Sequence, residues 1–440
     1  MNRMSTMRSL AFCVALAAAA TAAGAQDTRI IGFDQAVEIA LAQNDTLRQA
    51  RNAAALDRLD VEDAQRSFLP DLRATSQTTR AFARADDDTT RTTSLGVSSG
   101  VTLFDGFANT ATLKSARYSS LAGERDLERA RETVVFTVAS QFLALVQQRE
   151  ELRVQRENLA AQSALAAQIE TYVKAGARTI ADLYQQQANV ASAQLAVVQA
   201  ERAAELARID LIRTLRLDPR GAYEFVAPEV TTPATISVAD LDTLIGRAFG
   251  TRADIRASEA RLEAAKEDIR VAKSTRWPTL SLSAGYGSSY TSAIDAGWSD
   301  QLSDARGGSI GLNIALPLYD RSATRIATRR AEIRADSAQV DLDSLEQDVG
   351  SQVRTAVLDL DSAQAQLAAA GAQLRSAERA LEATEQRYRV GAATLVELTQ
   401  SRATRVEAAS AEVSARYEVE FRRRLLDYYV GGLTAATMRF

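Results

Sequence analysis

The chain is written twice. Phe68-Leu69-Pro70-Asp71-Leu72 returns as Arg276-Trp277-Pro278-Thr279-Leu280, and Leu47-Arg48 returns at the same 208-residue offset as Ile255-Arg256. Further along, Leu103-Phe104-Asp105 returns as Leu318-Tyr319-Asp320. Tyr172-Val173-Lys174-Ala175-Gly176 returns as Arg387-Tyr388-Arg389-Val390-Gly391, and Thr179-Ile180-Ala181-Asp182-Leu183 as Thr394-Leu395-Val396-Glu397-Leu398, all at an offset of 215. A solenoid unit is about 20–50 residues long, so a period near 200 is the duplication of a whole structural half. The seven-residue change of offset belongs to one loop.

Local signals give each half the same order. A first helix is expected over 34–68 and again over 239–275, then two strands, 71–83 with 93–104 and 279–290 with 308–319. Two long helices follow, 108–172 with 179–216 and 322–388 with 394–429. The six prolines agree. Pro70 and Pro278 stand where helical periodicity turns to strand periodicity, Pro317 near a strand end, and Pro219, Pro228 and Pro233 between the halves. None interrupts a long helical pattern, where it would cost about 3 kcal/mol.

The strand assignment rests on alternation. Leu280, Leu282, Ala284, Tyr286 and Tyr290 share one face, opposite Thr279, Ser281, Ser283, Gly285 and Gly287. Ile310, Leu312, Ile314, Leu316 and Leu318 likewise oppose Ser309, Gly311, Asn313 and Ala315. One face is apolar and the other small and polar, as in a barrel with lipid outside and water inside. Alternation alone also fits a half-buried sheet on a soluble domain. The first half is weaker, since Arg73, Arg80 and Arg84 interrupt it.

The helices carry a heptad. Val353, Leu360, Leu367, Leu374, Leu381 and Tyr388 follow one another by seven, and Ala356, Ala363, Ala370 and Ala377 sit three residues after the first four. Large residues at one seam position and alanine at the other bring two helix backbones close together. A helix over 322–388 would run roughly 100 Å at 1.5 Å per residue. The seam also fits a free-standing coiled coil. Only 6% of residues are aromatic against 46% hydrophobic, which favours packed helices over one large core.

Residues 1–25 have the form of a secretion signal: Arg3 and Arg8, an apolar stretch over 10–23, and Ala23-Gly24-Ala25 as the cleavage site, so that Gln26 starts the mature chain. The only cysteine, Cys13, lies within it. Removing Arg3 and Arg8 from 52 basic residues leaves 50 against 56 acidic ones, a net charge of −6. No basic stripe points to nucleic acid, and beyond the signal no apolar run is long enough for a spanning helix. The chain has no histidine, so an enzyme, a cofactor or a soft-metal site is not expected. Four strands cannot close a barrel; in a bilayer their free edges would leave unpaired amides in hydrocarbon, so several chains would have to pool their strands.

Together these residues resemble the TolC family of outer-membrane efflux and secretion channels, over nearly all of the mature chain. The resemblance is carried by Ala42-Gln43-Asn44-Asp45-Thr46-Leu47-Arg48 (with Asp45 where a proline is common), Leu69-Pro70-Asp71-Leu72, Leu103-Phe104-Asp105-Gly106, its copy Leu318-Tyr319-Asp320-Arg321 without the glycine, and the run from Tyr388 through Gly391 and Thr394 to Leu398. It implies a mainly α fold with a small membrane β part: duplicated helix, β-hairpin and long helical hairpin, three chains forming a 12-stranded barrel and a 12-helix periplasmic tunnel. It implies a passive outer-membrane export duct of a tripartite efflux or type I secretion system. The homotrimer would sit in outer-membrane lipid and dock through a periplasmic adaptor onto an inner-membrane RND or ABC transporter. A periplasmic coiled-coil scaffold or adhesin stalk is the alternative. The expected divisions are 1–25 signal, 26–218 first repeat, 219–238 linker at the equatorial belt, 239–430 second repeat and 431–440 tail.

The resemblance also implies site residues. Gly176, Thr179, Tyr388, Gly391 and Thr394 form hairpin tips that meet the adaptor; a glycine helix cap alone also accounts for Gly176 and Gly391. Asp182 and Glu397 lie at the periplasmic aperture, where carboxylate rings would select cations; a carboxylate at a helix N-terminus is the plainer reading. Gln400 stands at a second position acidic in the family. A basic tip residue of the family is Ala393 here, while Arg178 occupies the matching place in the first repeat and is expected to pair with a carboxylate of a neighbouring hairpin.

Overall fold

The computed structural model describes residues 29–81, 90–226 and 240–431. The expected signal over 1–25, Arg84, most of the 219–238 linker and the tail beyond Gly431 lie outside these residues. The described chain falls into two compact units, one drawn from 1–47, 131–244 and 353–440, the other from 48–130 and 245–352. Each takes segments from both sequence repeats. The two longest helices, Ala108–Lys174 (α3) and Ala323–Arg389 (α8), contribute to both.

The second unit holds a four-stranded antiparallel sheet of Arg73–Ala81 (β2), Thr90–Phe104 (β3), Thr279–Thr291 (β5) and Gly307–Ala315 (β6), in that order. The hairpins of the two repeats therefore meet at β3 and β5, while β2 and β6 are edges with one neighbour each among the described residues. Direct cross-strand pairs share a face. Val97 pairs with Tyr286, Leu282 with Leu312 and Leu280 with Ile314, giving an apolar face; Gly96 pairs with Gly287, Ser283 with Gly311 and Ser281 with Asn313, giving a small, polar one. The apolar face is bare: Ile310 is 83% exposed, Ile314 68% and Leu312 60%. An open patch of this kind marks a surface meant for another phase or another chain. β6 stops at Ala315, short of the expected 319, because Pro317 supplies no amide to a ladder. The seven-residue excess of the second repeat falls after β5, where Trp298–Asp304 form a short helix (α7) that the sequence did not announce. Ser288 donates to Leu302 O at 2.7 Å, and buried Gln301 accepts from the Thr291 amide at 2.9 Å, fixing that loop to β5.

The single helices expected over 34–68 and 239–275 are each two. Phe33–Gln43 (α1) and Asp45–Arg66 (α2) break at Asn44, and Leu241–Thr251 (α5) and Ala253–Ser274 (α6) break at Arg252. These positions are equivalent in the duplication, and their backbones match: φ −62, ψ 131 and φ −64, ψ 127. Asn44 Oδ1 caps the following turn by accepting from the Leu47 amide at 3.3 Å, and its Nδ2 reaches Thr214 O at 3.5 Å. Arg252 solves the same break differently. It is 3% exposed and forms a bidentate pair with Asp254, at 2.6 and 3.0 Å. Arg129 adds a second cation 3.6 Å from that carboxylate. Both breaks are absent from the 3.6-residue apolar period, which runs through them; only the capping residues reveal them.

The first unit contains a second sheet that the sequence did not announce. Arg29–Gly32 (β1) runs parallel to Tyr223–Val226 (β4), so part of the 219–238 linker is a strand paired with the start of the described chain. Phe33, Phe142 and Phe225 pack edge to face beside it, at 5.6 and 6.2 Å between ring centres. Long hairpins fill the rest of this unit: the C-terminal parts of α3 and α8 with Ile180–Thr214 (α4) and Leu395–Val430 (α9). The heptad seam is inside. Val353, Ala356, Leu360, Ala363, Ala377 and Tyr388 are buried; Leu367, Ala370, Leu374 and Leu381 are half-buried.

Candidate aperture at the hairpin turns

Each long hairpin turns by the same device. After α3, the Ala177 amide donates to Tyr172 O at 2.8 Å and the Gly176 amide to Val173 O at 3.0 Å; after α8, the Ala392 amide donates to Arg387 O at 2.7 Å and the Gly391 amide to Tyr388 O at 3.1 Å. This closure uses a left-handed residue just past the helix. Gly176 and Gly391 supply it, with φ of 74 and 79. A Cβ at either would meet no atom within 4 Å, so the demand for glycine is conformational.

Threonine starts each return helix. Thr179 Oγ1 accepts from the Asp182 amide, and Thr394 Oγ1 from the Glu397 amide, both at 3.2 Å. Here the copies part. Asp182 turns its carboxylate back to accept from the Thr179 amide at 3.3 Å, closing a capping box. Glu397 faces Arg387 at 3.5 Å instead, and Arg387 also donates to Ala392 O at 3.0 Å. Asp182 is half-buried, whereas Glu397 and Gln400 are exposed; Gln400 forms no hydrogen bond among the described residues.

The two turns pack against each other. Leu165, Ile169 and Leu183 of the first repeat share one buried cluster with Tyr388, Ala393, Leu395 and Leu398 of the second. Arg178 lies over the Tyr388 ring, 4.6 Å from its centre, and forms no ion pair among the described residues. Within one chain, then, its partner is a ring and not the expected carboxylate. Burial pushes the Tyr388 phenol pKa up; Arg178 opposes this shift and Asp182 reinforces it. The phenol oxygen is buried without a hydrogen-bond partner among the described residues.

Above the turns lies a polar layer that sequence reasoning missed. Gln186, fully buried, donates to Gln162 Oε1 at 2.8 Å and accepts from Asn189 at 3.2 Å. Arg402 joins Glu385 at 2.9 Å and Ala161 O at 3.0 Å. The available signal was a glutamine three residues after Leu183, on the face that is otherwise apolar. The structure thus brings Gly176, Arg178, Thr179, Asp182, Tyr388, Gly391, Thr394 and Glu397 to the turns of one paired hairpin set, with Gln400 one turn of α9 beyond Glu397. Among the described residues no group of acidic, histidine or cysteine side chains could hold a metal ion, and no helix is long and apolar enough to cross a membrane.

A duplicated, mainly helical chain with paired helical hairpins in one unit and a bare apolar β-sheet in the other is built as a channel subunit. The family model of the outer membrane efflux protein matches residues 36–215 and 244–432, and the chain belongs to that family, the TolC-like channels of the outer membrane. It is 27% identical over 313 residues to Protein CyaE of Bordetella pertussis, covering 70% of this chain and 65% of that one. It is 26% identical over 384 residues to the pyoverdine export outer membrane protein OpmQ of Pseudomonas aeruginosa, covering 84% and 77%. Among solved structures it matches the outer-membrane channel OprN with a TM-score of 0.76 at 24% identity, covering 91% of this chain and 90% of that one. It matches VceC of Vibrio cholerae with 0.76 at 20%, covering 91% and 96%.

Proposed function

We propose that three copies of this chain form a passive export duct through the outer membrane, which receives cargo from an inner-membrane RND or ABC transporter through a periplasmic adaptor. The observation that carries this reading is the sheet. Four strands with an exposed apolar face and two free edges, β2 and β6, are not stable alone in lipid. Pairing β6 of one copy with β2 of the next removes every edge after three copies and yields twelve strands. The long helices of the two repeats, 26–218 and 239–430, would then wall a twelve-helix periplasmic tunnel, with 219–238 at its belt. Energy comes from the transporter, and the chain has no catalytic role.

In this reading the hairpin turns are the inner end of the duct. Glu397, exposed and facing Arg387, lines the aperture in three copies, with Asp182 and Gln400 beside it. Gly176, Thr179, Tyr388, Gly391 and Thr394 shape the surface offered to the adaptor. The curated relatives include a pyoverdine exporter, and a small secreted molecule is the cargo class proposed here. The test is a detergent-corrected mass. A trimer that migrates more slowly on a gel before heating than after, when it falls to single chains, supports the duct; a stable monomer with its strands intact overturns it.

A further inference from the structure

Where the sheet gives way to helices, the second unit has a cavity of about 360 Å³. Phe107, Lys114, Glu267, Arg270, Lys273 and Trp277 line it. The duplication puts these groups together: Phe107 and Lys114 follow β3 into α3, while Glu267 to Trp277 close α6 just before β5. Gly106 makes the join possible. Its φ is 68, and a Cβ there would lie 2.5 Å from Ser274 O and 2.7 Å from Trp277 Cβ. Its copy in the second repeat is Arg321, which keeps the positive φ, at 53, but carries a side chain where Gly106 has none.

The lining is chemically divided. Phe107 and Trp277 are 66% and 57% exposed, although both are large and apolar. Lys114 forms no ion pair among the described residues, and Lys273 faces Glu332 loosely, at 3.9 Å. Arg270 is held by Glu267 at 2.7 Å. Buried Glu267 keeps its second oxygen without a hydrogen-bond partner. Three cations and one carboxylate therefore surround the cavity, next to two exposed aromatic rings at the foot of a bare apolar sheet. Aromatic rings of this kind settle at the boundary between hydrocarbon and headgroups, and lysines at that depth meet lipid phosphates.

We propose that this cavity is a binding site for the phosphodiester headgroup of a lipid in the periplasmic leaflet. Lys114 and Lys273 contact the phosphate, and Trp277 and Phe107 rest on the glycerol and upper acyl chain. The site would fix the height of the sheet in the bilayer at the point where strands become helices. The inference rests on the reading of the sheet as the membrane-inserted part.

The chain has two tryptophans, Trp277 and Trp298, so Trp298→Phe leaves Trp277 as the sole reporter in the full-length protein. Phosphatidylglycerol brominated near the headgroup is titrated into protein in micelles of a neutral detergent. Saturable quenching at about one lipid per chain is expected. Lys114→Gln with Lys273→Gln should weaken it at least tenfold, and Lys114→Arg with Lys273→Arg should retain it. Equal quenching in the glutamine variant, or unsaturable quenching, overturns the proposal. Displacement of the lipid by millimolar inorganic phosphate would mean a site for the free anion and overturns it as well. A second reporter separates this from failure of the membrane reading. Tyr286→Trp, with Trp277→Phe and Trp298→Phe, should be quenched by lipid brominated deep in the chain. If that reporter is silent, the sheet is not in the membrane; if it responds while the lysine variants change nothing, only the headgroup site is wrong.

Discussion

The guanidinium of Arg178 stacks on the ring of Tyr388, 4.6 Å from its centre, and so joins the turn of the first repeat to the helix end of the second. A half-desolvated contact of this type contributes about 1 kcal/mol. Arg178→Ala should lower the thermal midpoint slightly and raise single-channel conductance by loosening the turns. Tyr388 separates ring from hydroxyl. Tyr388→Ala removes a buried ring and should cost about 3 kcal/mol. Tyr388→Phe removes an oxygen that has no hydrogen-bond partner among the described residues and should be neutral or slightly stabilising. Thermal melts of both variants check this; a Phe variant as unstable as the Ala variant would mean that the hydroxyl is bonded.

Alanines on the α8 seam set how closely the helices approach. Ala363 is 3% exposed, while Ala370 is half-buried. Ala363→Leu should cost about 1–3 kcal/mol through overpacking, and Ala370→Leu less, because its site can open to solvent. The comparison is read from melting temperature and trimer yield. Equal effects would place the close contact elsewhere.

Acid should act on the break between α5 and α6. Burial pushes the Asp254 carboxyl up, but its bonds to Arg252 and the nearby Arg129 overcome this and hold it below the usual range. A carboxylate depressed on folding contributes stability above its unfolded pKa and loses it as pH falls through the folded one. The wild-type melting temperature should therefore fall as pH drops below about 4. Asp254→Asn should flatten that fall and cost about 3 kcal/mol at neutral pH, since it strips a buried arginine of its carboxylate. Melting curves between about pH 3 and 7 check both parts; identical slopes in the two proteins would count against the pair.

The equivalent break in the first repeat depends on a neutral cap. Asn44→Ala should cost about 1 kcal/mol, and Asn44→Asp, which keeps the accepting oxygen, much less. Denaturant midpoints compare the two; equal losses would show that the bond to the Leu47 amide is not what holds the turn.

Much of this fold was legible in the sequence because duplication repeats each signal. Pro70 with Pro278, and Gly176 with Gly391, mark the same junctions twice, and alternation at Leu280, Leu282 and Leu312 gives the correct faces. The heptad at Val353 and Leu360 was readable from its own sevenfold spacing within the second half. What could not be read depends on partners distant in sequence. β1 is a strand only because β4 lies beside it, some two hundred residues away. The helix breaks at Asn44 and Arg252 leave the apolar period intact. At the aperture, residue types were legible but their pairing was not: Asp182 and Glu397 are matched in sequence, yet one closes on its own backbone and the other faces Arg387. Gln186 showed only as a glutamine on an otherwise apolar face, and Arg402 carries no pattern outside the packed turns.

The central claim is that the assembled protein is a water-filled duct whose inner end is lined by Glu397 and Asp182. Single-channel recording of the purified trimer in planar bilayers tests it most directly. Wild type should show a steady conductance that prefers cations, because like charges in a narrow ring attract counter-ions. Glu397→Gln with Asp182→Asn should reduce that preference, with Glu397 giving the larger share since Asp182 is tied into its capping box. No conductance from a correctly assembled trimer would contradict the duct, and a double variant with wild-type selectivity would contradict the aperture.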